Sequence, residues 1–484
     1  MDRHRHVLFV VLFVFYAAGF NGQWRVGPDS AAFATIARNV AEGRGFEHPT
    51  GFEGHASPGL IYLLAASFRL AGEDAFWPAL VVIFALAMAT LVLVYRTLLL
   101  NVGRPAAVVV TLMVGESSLF FRYTFDILNA IPFLFGVMLL LWSHERQQQR
   151  IGSTATNYTI MILSFAWMAA LRIVFLNVLA AWLLVMFIQA MRSPRRWRIL
   201  GLIGAVLLVL ILLRFAIDPR AREGQLLPRE QEILYRLSTL PQTLTTNLPA
   251  NTALLLTEEG TDAIVGNTLG HGIVNGAVTL AAIGAMIALG RRRLLWGVLP
   301  ALFVVQWLLF LPDARYFTAL LPLLALGWWN LWTGVEHRWR ARWAGVVMLI
   351  MTGMWPVMNI PRSAGFLLEQ RRIPFEDHYR KGTVRGLRQF SSAIAEKTEQ
   401  DCWIIGSLHN ASPIGYWSRR HVYPPHPHLI PGDLTGPDEK QQERLTEPSR
   451  GWSIGPEVIS VPGPPDHPPW RLHRIIIQGD QAQP

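Results

Sequence analysis

Apolar runs recur along the chain at about 7–23, 77–99, 104–120, 127–143, 157–173, 174–191, 198–216, 271–289, 294–311, 315–333 and 343–360, separated by short polar connections. Each has roughly the 17 to 25 mainly apolar residues that a helix needs to cross about 30 Å of hydrocarbon. The pattern predicts a mainly α fold, a polytopic transmembrane helical bundle of about 11 spans. The first run follows a basic head, MDRHRH, yet lacks a small-x-small cleavage site, so it reads as an uncleaved first span.

Arginines fix the expected orientation. With Arg3 and Arg5 in the cytoplasm, alternation places Arg96, Arg104, Arg146, Arg150, the SPRRWR run, 291–293 and HRWRAR on the same inner face, as the positive-inside rule requires. The parity closes only if the apolar segment 57–70 does not cross, which predicts a juxtamembrane or re-entrant helix there and leaves Arg69 outside or at the interface. The outer face then receives loop 24–76, the turn 121–126, the long loop 217–270, the turn 312–315 and the tail. Two domains are expected: residues 1–360 as a transmembrane domain with outer loops 24–76 and 217–270, and 361–484 as a soluble extracytoplasmic domain. In the tail, RKGTVRGLRQFSSAIAEKT has the spacing of an amphipathic helix and CWIIGSL that of a buried strand, which suggests a small α/β domain. From Pro424 onward the sequence becomes proline-rich and reads as loop or covering segment.

Composition agrees with a membrane protein: 52% of residues are hydrophobic and only 16% are charged. The net charge of +10 would suggest nucleic acid in a soluble domain, but here the arginines sit between spans and report topology. No nucleic-acid partner is expected. A single cysteine, Cys402, excludes an internal disulfide, and thiolate metal sites need more than one.

Candidate chemistry concentrates in residues 27–58, GPDSAAFATIARNVAEGRGFEHPTGFEGHASP. Asp29 stands near the start of a predicted amphipathic helix whose apolar face is Ala31, Phe33, Ile36, Ala37 and Val40. An aspartate there can cap the helix, but Ser30 is an equally good cap and would leave Asp29 for other work. Gly43 and Gly45 end the helix, and EGHASP carries a second carboxylate, Glu53, back toward the membrane.

Asp29 in the first loop, then A-R-N-V-x-x-G-x-G from Ala37, then E-G-x-x-S-P from Glu53 leading into an apolar helix, resembles the first extracytoplasmic loop of the GT-C glycosyltransferases. The resemblance is to bacterial members of the arabinofuranosyltransferase group that use polyprenyl-phosphate sugars. Ser30 departs from it, since the family usually has a second acid there. Asp126, in RYTFDILNAIP, resembles the acid that many GT-C enzymes carry after the third membrane helix, and its bland alternative is an N-cap of the following helix. GQLLP at 224–228 resembles the G-x-L-L-P of the long loop, with Arg229 where the family has Asn. PDARYFTALLPLLAL from Pro312 resembles the R-Y-x-x-P stretch, with Pro322 one place late. IIGSLHNASPIGYWSRRHVYPP is similar to the G-x-x-G-Y region of the family's soluble domain.

The resemblance implies an integral enzyme of the bacterial inner membrane that moves a sugar from a polyprenyl-phosphate carrier to an envelope glycan, lipid or protein outside the cytoplasm. Asp29 is then the expected general base, with Asp126 and Glu53 as further catalytic carboxylates. Arg315 offers a bidentate fork for the lipid phosphate, Arg172 is a second phosphate candidate and Arg122 a third. Tyr316, His55 and Arg38 complete the expected substrate contacts. His48, His55 and His271 fall on the outer side without metal-ligand spacing, and His409 with Asn410 could close over the site from the tail. No metal or cofactor is expected; a divalent ion bridging Asp29, Asp126 and phosphate is conceivable chemistry but is not favoured with Ser30 replacing an acid. Two alternatives stand beside the enzyme. One is a transporter or flippase of envelope precursors, which would place charges at mid-membrane in broken helices, whereas the acids here read as lying at outer helix ends. The other is a non-catalytic homologue with the same fold.

Overall fold

A computed structural model of the chain describes residues 3–25, 28–46, 58–72, 75–192, 196–217, 238–257, 272–309, 317–338, 359–368, 383–397, 403–405, 416, 418–419, 421–423, 452–461 and 470–477. The apolar runs become helices. They are α1 (Arg3–Gly19), α4 (Trp77–Asn101), α5 (Arg104–Glu116), α7 (Ala130–Gln148), α8 (Thr154–Leu171), α9 (Phe175–Arg192), α10 (Arg196–Ile217), α12 (Gly272–Ala288), α13 (Leu294–Leu309) and α14 (Leu321–Arg338). Between them lie α2 (Pro28–Ala41), α3 (Pro58–Ala71), α6 (Ser118–Thr124) and α11 (Leu248–Leu255), and α15 (Thr383–Lys397) belongs to the tail. Among the described residues, four helices are long and apolar enough to cross a membrane, and five if the bent pair α5–α6 counts as one span; several others are apolar but shorter. The expected last span, 343–360, lies almost wholly outside the described residues.

The chain divides into two compact units. One comprises Met1–Phe20, Ser57–Gly59 and Leu80–Leu368, the other Asn21–Ala56, Leu60–Ala79 and Glu369–Pro484. The membrane bundle is thus one unit, and the first loop groups with the tail. That grouping cuts across the division expected at residue 360, because the loop's long-range partners lie 378 positions further on.

Within the bundle, α7 packs on α8, α9 on α10 and α13, α12 on α13 and α14, and α5 on α1 and α14. Small residues allow these approaches, as they do where lipid supplies no hydrophobic drive between helices. A Cβ placed on Gly136 of α7 would lie 2.6 Å from Met168 Cγ of α8, and one on Gly327 of α14 would lie 3.0 Å from the backbone carbon of Ala285 in α12. One end of the bundle is tied by charge. Glu145 of α7 is 1% exposed, and its Oε2 lies 3.1 Å from Arg293 Nε, which also donates to Asn101 Oδ1 of α4 at 3.0 Å.

The segment 57–70 forms α3, whose 14 residues extend about 21 Å, short of the hydrocarbon thickness. In the tail, β1 (Trp403–Ile405) pairs in parallel with β2 (His421–Tyr423). A second sheet pairs β3 (Trp452–Val461) antiparallel with β4 (Trp470–Ile477). This hairpin corrects the reading of everything after Pro424 as loop. Pro456 falls between Ile454 and Glu457, where the register shifts, and an irregularity is where a strand tolerates a residue with no N–H. Long-range pairing overrode the local proline signal.

Candidate active site

Helix α2 carries Asp29 and belongs to the second unit. Its residues 31–38 are buried on every side, not only on the predicted apolar face. Asp29, in the first turn, is half-buried. Ser30 does something the sequence did not suggest: its Oγ accepts the Trp24 indole N–H at 3.0 Å, with the Arg25 carbonyl 3.4 Å away. The position where the resemblance implies a second acid is therefore occupied by a hydroxyl that anchors an aromatic ring. Trp24 in turn stacks on Phe76 with centroids 4.5 Å apart and meets Tyr416 edge-on at 5.0 Å.

Arg38 lies one face further along the same helix. It is 6% exposed, its Nη1 donates to the Tyr416 carbonyl at 2.8 Å, and its guanidinium stands 4.0 Å from the Tyr416 ring centroid. An arginine so held ties α2 to the G-Y motif of the tail. The C-terminal end of α2 is closed by Arg69 of α3, whose Nε and Nη2 donate to the carbonyls of Ala41 and Val40 at 3.0 and 2.7 Å. Arg69 thus finds its use as a helix cap. Gly43 follows with φ of 80°, the left-handed position that ends a helix at little cost only for glycine.

Asp126 belongs to the first unit and reaches its place through a broken span. Helix α5 stops at Glu116, Ser117 turns extended with φ −58° and ψ 128°, and α6 leaves at an angle of 60°. A break inside a membrane frees backbone groups that water cannot satisfy, so side chains must. Tyr16 donates to the Gly115 carbonyl at 2.6 Å and Ser363 to the Glu116 carbonyl at 3.1 Å. Asn359 Oδ1 accepts from the Ser118 N–H at 3.1 Å and lies 3.2 Å from its hydroxyl. Helix α6 carries Arg122, and Asp126 follows just past its end, with Nε and Oδ2 3.7 Å apart. Asp126 is 8% exposed, and the N-cap of α7 is Asn129, with no side-chain cap bond. Asp126 is thus not the N-cap residue of α7.

Arg172 follows α8 as its C-cap residue, extended and half-buried, with its carbonyl accepting from Phe175 N–H at 3.1 Å. Close by in sequence, Asn177 donates to Gln306 of α13. Part of the long loop, a π-helical turn (Thr243–Asn247) leading into α11, packs on the same helix, and Asn251 donates to the Leu308 carbonyl at 2.9 Å. These amides fix the end of α13 from which the chain runs on toward Arg315. Glu53, His48, His55, His271, Arg315, Tyr316, His409, Asn410 and GQLLP lie outside the described residues.

The structure brings together Arg122 with Asp126, and Arg38 with Tyr416. Sequence reading missed Trp24 and Tyr416 as anchors, and it missed the break with Glu116, Ser117, Asn359 and Ser363. Its signal was G-E-S-S at 115–118, small and polar residues inside an apolar run. Glu116, the last residue of α5, sits at the break within the expected span 104–120.

No family model matches the chain, and no curated relative matches its sequence. Solved structures do share its fold. ArnT from Cupriavidus metallidurans bound to undecaprenyl phosphate matches with a TM-score of 0.55 at 14% identity, over 87% of this chain and 86% of that one. ArnT in the apo state covers 99% of both chains at a TM-score of 0.54. The Archaeoglobus fulgidus oligosaccharyltransferase, tethered to an acceptor peptide, matches at 0.54 and 13% identity, over 94% of this chain and 69% of that one. Coverage of 87 to 99% of this chain at such low identity shows a fold shared with ArnT and the oligosaccharyltransferase. What those proteins bind belongs to them.

Proposed function

We propose that this chain is an integral membrane glycosyltransferase that moves a sugar from a polyprenyl-phosphate donor to an extracytoplasmic acceptor, an envelope glycan, lipid or protein, by inverting displacement. The observation that carries the reading is Asp126: a buried carboxylate beside Arg122 at the end of a constructed break, and not a helix cap, in a fold shared with ArnT and the oligosaccharyltransferase. ArnT has been seen with undecaprenyl phosphate and the archaeal enzyme AglB with dolichol phosphate, which supports a lipid-linked donor here.

In this reading Asp29 accepts the proton of an acceptor hydroxyl. The hydroxyl oxygen forms the new bond to the anomeric carbon from the side opposite the phosphate. The old carbon–oxygen bond breaks, and its electron pair leaves with the lipid phosphate. That group departs as an anion, so a fixed cation serves it better than an acid. Arg315 is assigned to it, with Arg172 as second cation. Asp126 and Glu53 orient hydroxyls, and Tyr316 and His55 contact substrate. Arg38, held by Tyr416, contributes by fixing α2 instead of binding sugar.

Mass spectrometry of envelope glycans from a deletion strain, complemented with wild type, Asp29→Asn or Asp126→Asn, tests the proposal. Wild type restores one glycan species, and Asp29→Asn at equal abundance loses it, in keeping with about 10² to 10⁴ of rate from a general base. An unchanged glycan profile on deletion sinks the enzyme reading. A second reading has one observation behind it, because a broken span bearing a carboxyl is also a transporter feature. Transporters of that kind repeat the break in related halves, and among the described residues the bent pair occurs once. Accumulation of unflipped precursor in the deletion strain, with transfer intact, would favour it.

A further inference from the structure

At the break between α5 and α6 the protein satisfies the backbone and leaves side chains. The Gly115 and Glu116 carbonyls and the Ser118 N–H all have side-chain partners from other helices. Ser117 N–H donates to the Val114 carbonyl at 3.2 Å, and its own carbonyl accepts from Phe121 N–H at 2.9 Å. By contrast, Ser117 is fully buried and its hydroxyl has no hydrogen-bond partner among the described residues. The neighbouring Glu116 carboxylate, half-buried, has neither an ion pair nor a hydrogen bond among the described residues. Thirteen residues of helix extend about 20 Å, less than the hydrocarbon thickness, so the break falls within the membrane's depth. A carboxyl and a buried hydroxyl at such a depth are costly without partners, and irregular backbone is tolerated there where it lines a cavity.

The break is also held firmly. Asn359 and Ser363, 0% and 1% exposed, come from a segment more than 240 positions away, and Phe366 of the same segment meets Phe121 at 5.9 Å. A Cβ on Gly115 would lie 2.6 Å from Leu12 of α1, so the first helix is pressed against the same point. Three parts of the bundle thus brace a turn at which the half-buried Glu116 carboxyl and the buried Ser117 hydroxyl have no hydrogen-bond partner among the described residues. A carboxylate only accepts hydrogen bonds and repels anions, whereas a serine hydroxyl both donates and accepts. A ring bearing hydroxyl groups complements both side chains, since it donates and accepts as well.

We propose that Glu116 and Ser117 are sugar-binding residues that recognise ring hydroxyls of the lipid-linked donor at the broken span. The proposal rests on the glycosyltransferase reading and adds to it a specificity site distinct from the base and from the phosphate-binding arginines. It explains why the span is broken at a glutamate. It also gives the bracing by Asn359 and Ser363 a purpose, since sugar discrimination depends on fixed hydrogen-bond geometry.

Full-length protein in nanodiscs, with undecaprenyl phosphate and with undecaprenyl phosphate carrying a neutral hexose or pentose as probes, tests it. Wild type is expected to bind one sugar-bearing lipid more tightly than the bare lipid. Glu116→Gln and Ser117→Ala are expected to weaken that sugar lipid about tenfold, the effect of one lost buried hydrogen bond, and to leave the bare lipid unchanged. Variants that keep the wild-type preference overturn the proposal. A wild type that binds bare and sugar-bearing lipids equally overturns the donor reading itself. Should the variants fail to fold, a lipophilic carbodiimide reads the same site in wild type. Glu116 is expected to be labelled, and to be protected by the sugar lipid but not by the bare lipid; equal labelling with both refutes the assignment.

Discussion

Arg38 illustrates how a side chain read as a ligand contact can be taken by the fold. Its fork meets a backbone carbonyl and an aromatic face of the tail at once, a geometry that lysine cannot copy because a point charge does not stack. Arg38→Met would keep the apolar stem, leave the Tyr416 carbonyl unsatisfied and remove the cation–π contact, a loss of about 2 to 3 kcal/mol. The expected outcome is a lowered melting midpoint of the purified protein, with Arg38→Lys recovering only part of it. An unchanged midpoint together with weakened sugar binding would return Arg38 to the substrate-contact role that its motif suggested. Ser30 teaches the same lesson in reverse. A hydroxyl looked like a vacant acid position, and the indole of Trp24 shows that it is filled. Neither assignment was legible in one dimension, because Trp24 and Tyr416 meet α2 only through folding.

Helix against helix, the bundle depends on where glycine allows contact and where it does not. Gly284 of α12 has open space around an added Cβ, whereas at Gly327 of α14 a Cβ would meet the backbone of Ala285 and Met286 at 3.0 and 3.1 Å. Gly→Ala inside a helix otherwise gains about 1 kcal/mol from propensity. Opposite signs are therefore expected: Gly284→Ala raises the thermal midpoint, and Gly327→Ala lowers it because backbone cannot move aside as a side chain can. Equal shifts in one direction would show that α12 and α14 do not pack as described. The helices themselves were readable, since their length and apolar content are local. The 60° break was not, because only Tyr16, Asn359 and Ser363 make it tolerable and two of those lie more than 240 positions away.

For the whole molecule, the arginine count makes a statement about sidedness that the fold alone does not. It puts the Glu145–Arg293 tie on the inner face and α11 of the long loop outside. Alkaline phosphatase fused after Gln149 is expected to be inactive, and fused after Leu256 active, since the enzyme works only outside the cytoplasm. The reverse pattern would mean that α3 crosses the membrane, and two active fusions that one of α8, α9 and α10 does not; either result defeats the parity argument. The same measurement bears on the proposed function, because the proposed base on α2 and the proposed acceptor outside the cell require the first loop to face outward.

Local chemistry determined what can be read one segment at a time. Apolar length set the helices, Gly43 ended α2, and the spacing from Asp29 to Pro58 pointed to a fold that ArnT and the oligosaccharyltransferase share at 13–14% identity. Tertiary structure alone decided which polar groups are occupied. It gave Ser30 to Trp24, Arg38 to Tyr416 and Arg69 to the end of α2, denied Asp126 a capping role, and paired a proline-bearing strand into a hairpin. The physical reason is one of range. Helix formation is decided by neighbours within a few residues, whereas a polar side chain takes whichever partner the fold brings within about 3 Å, and that partner is 6 positions away for Ser30, 28 for Arg69 and 378 for Arg38.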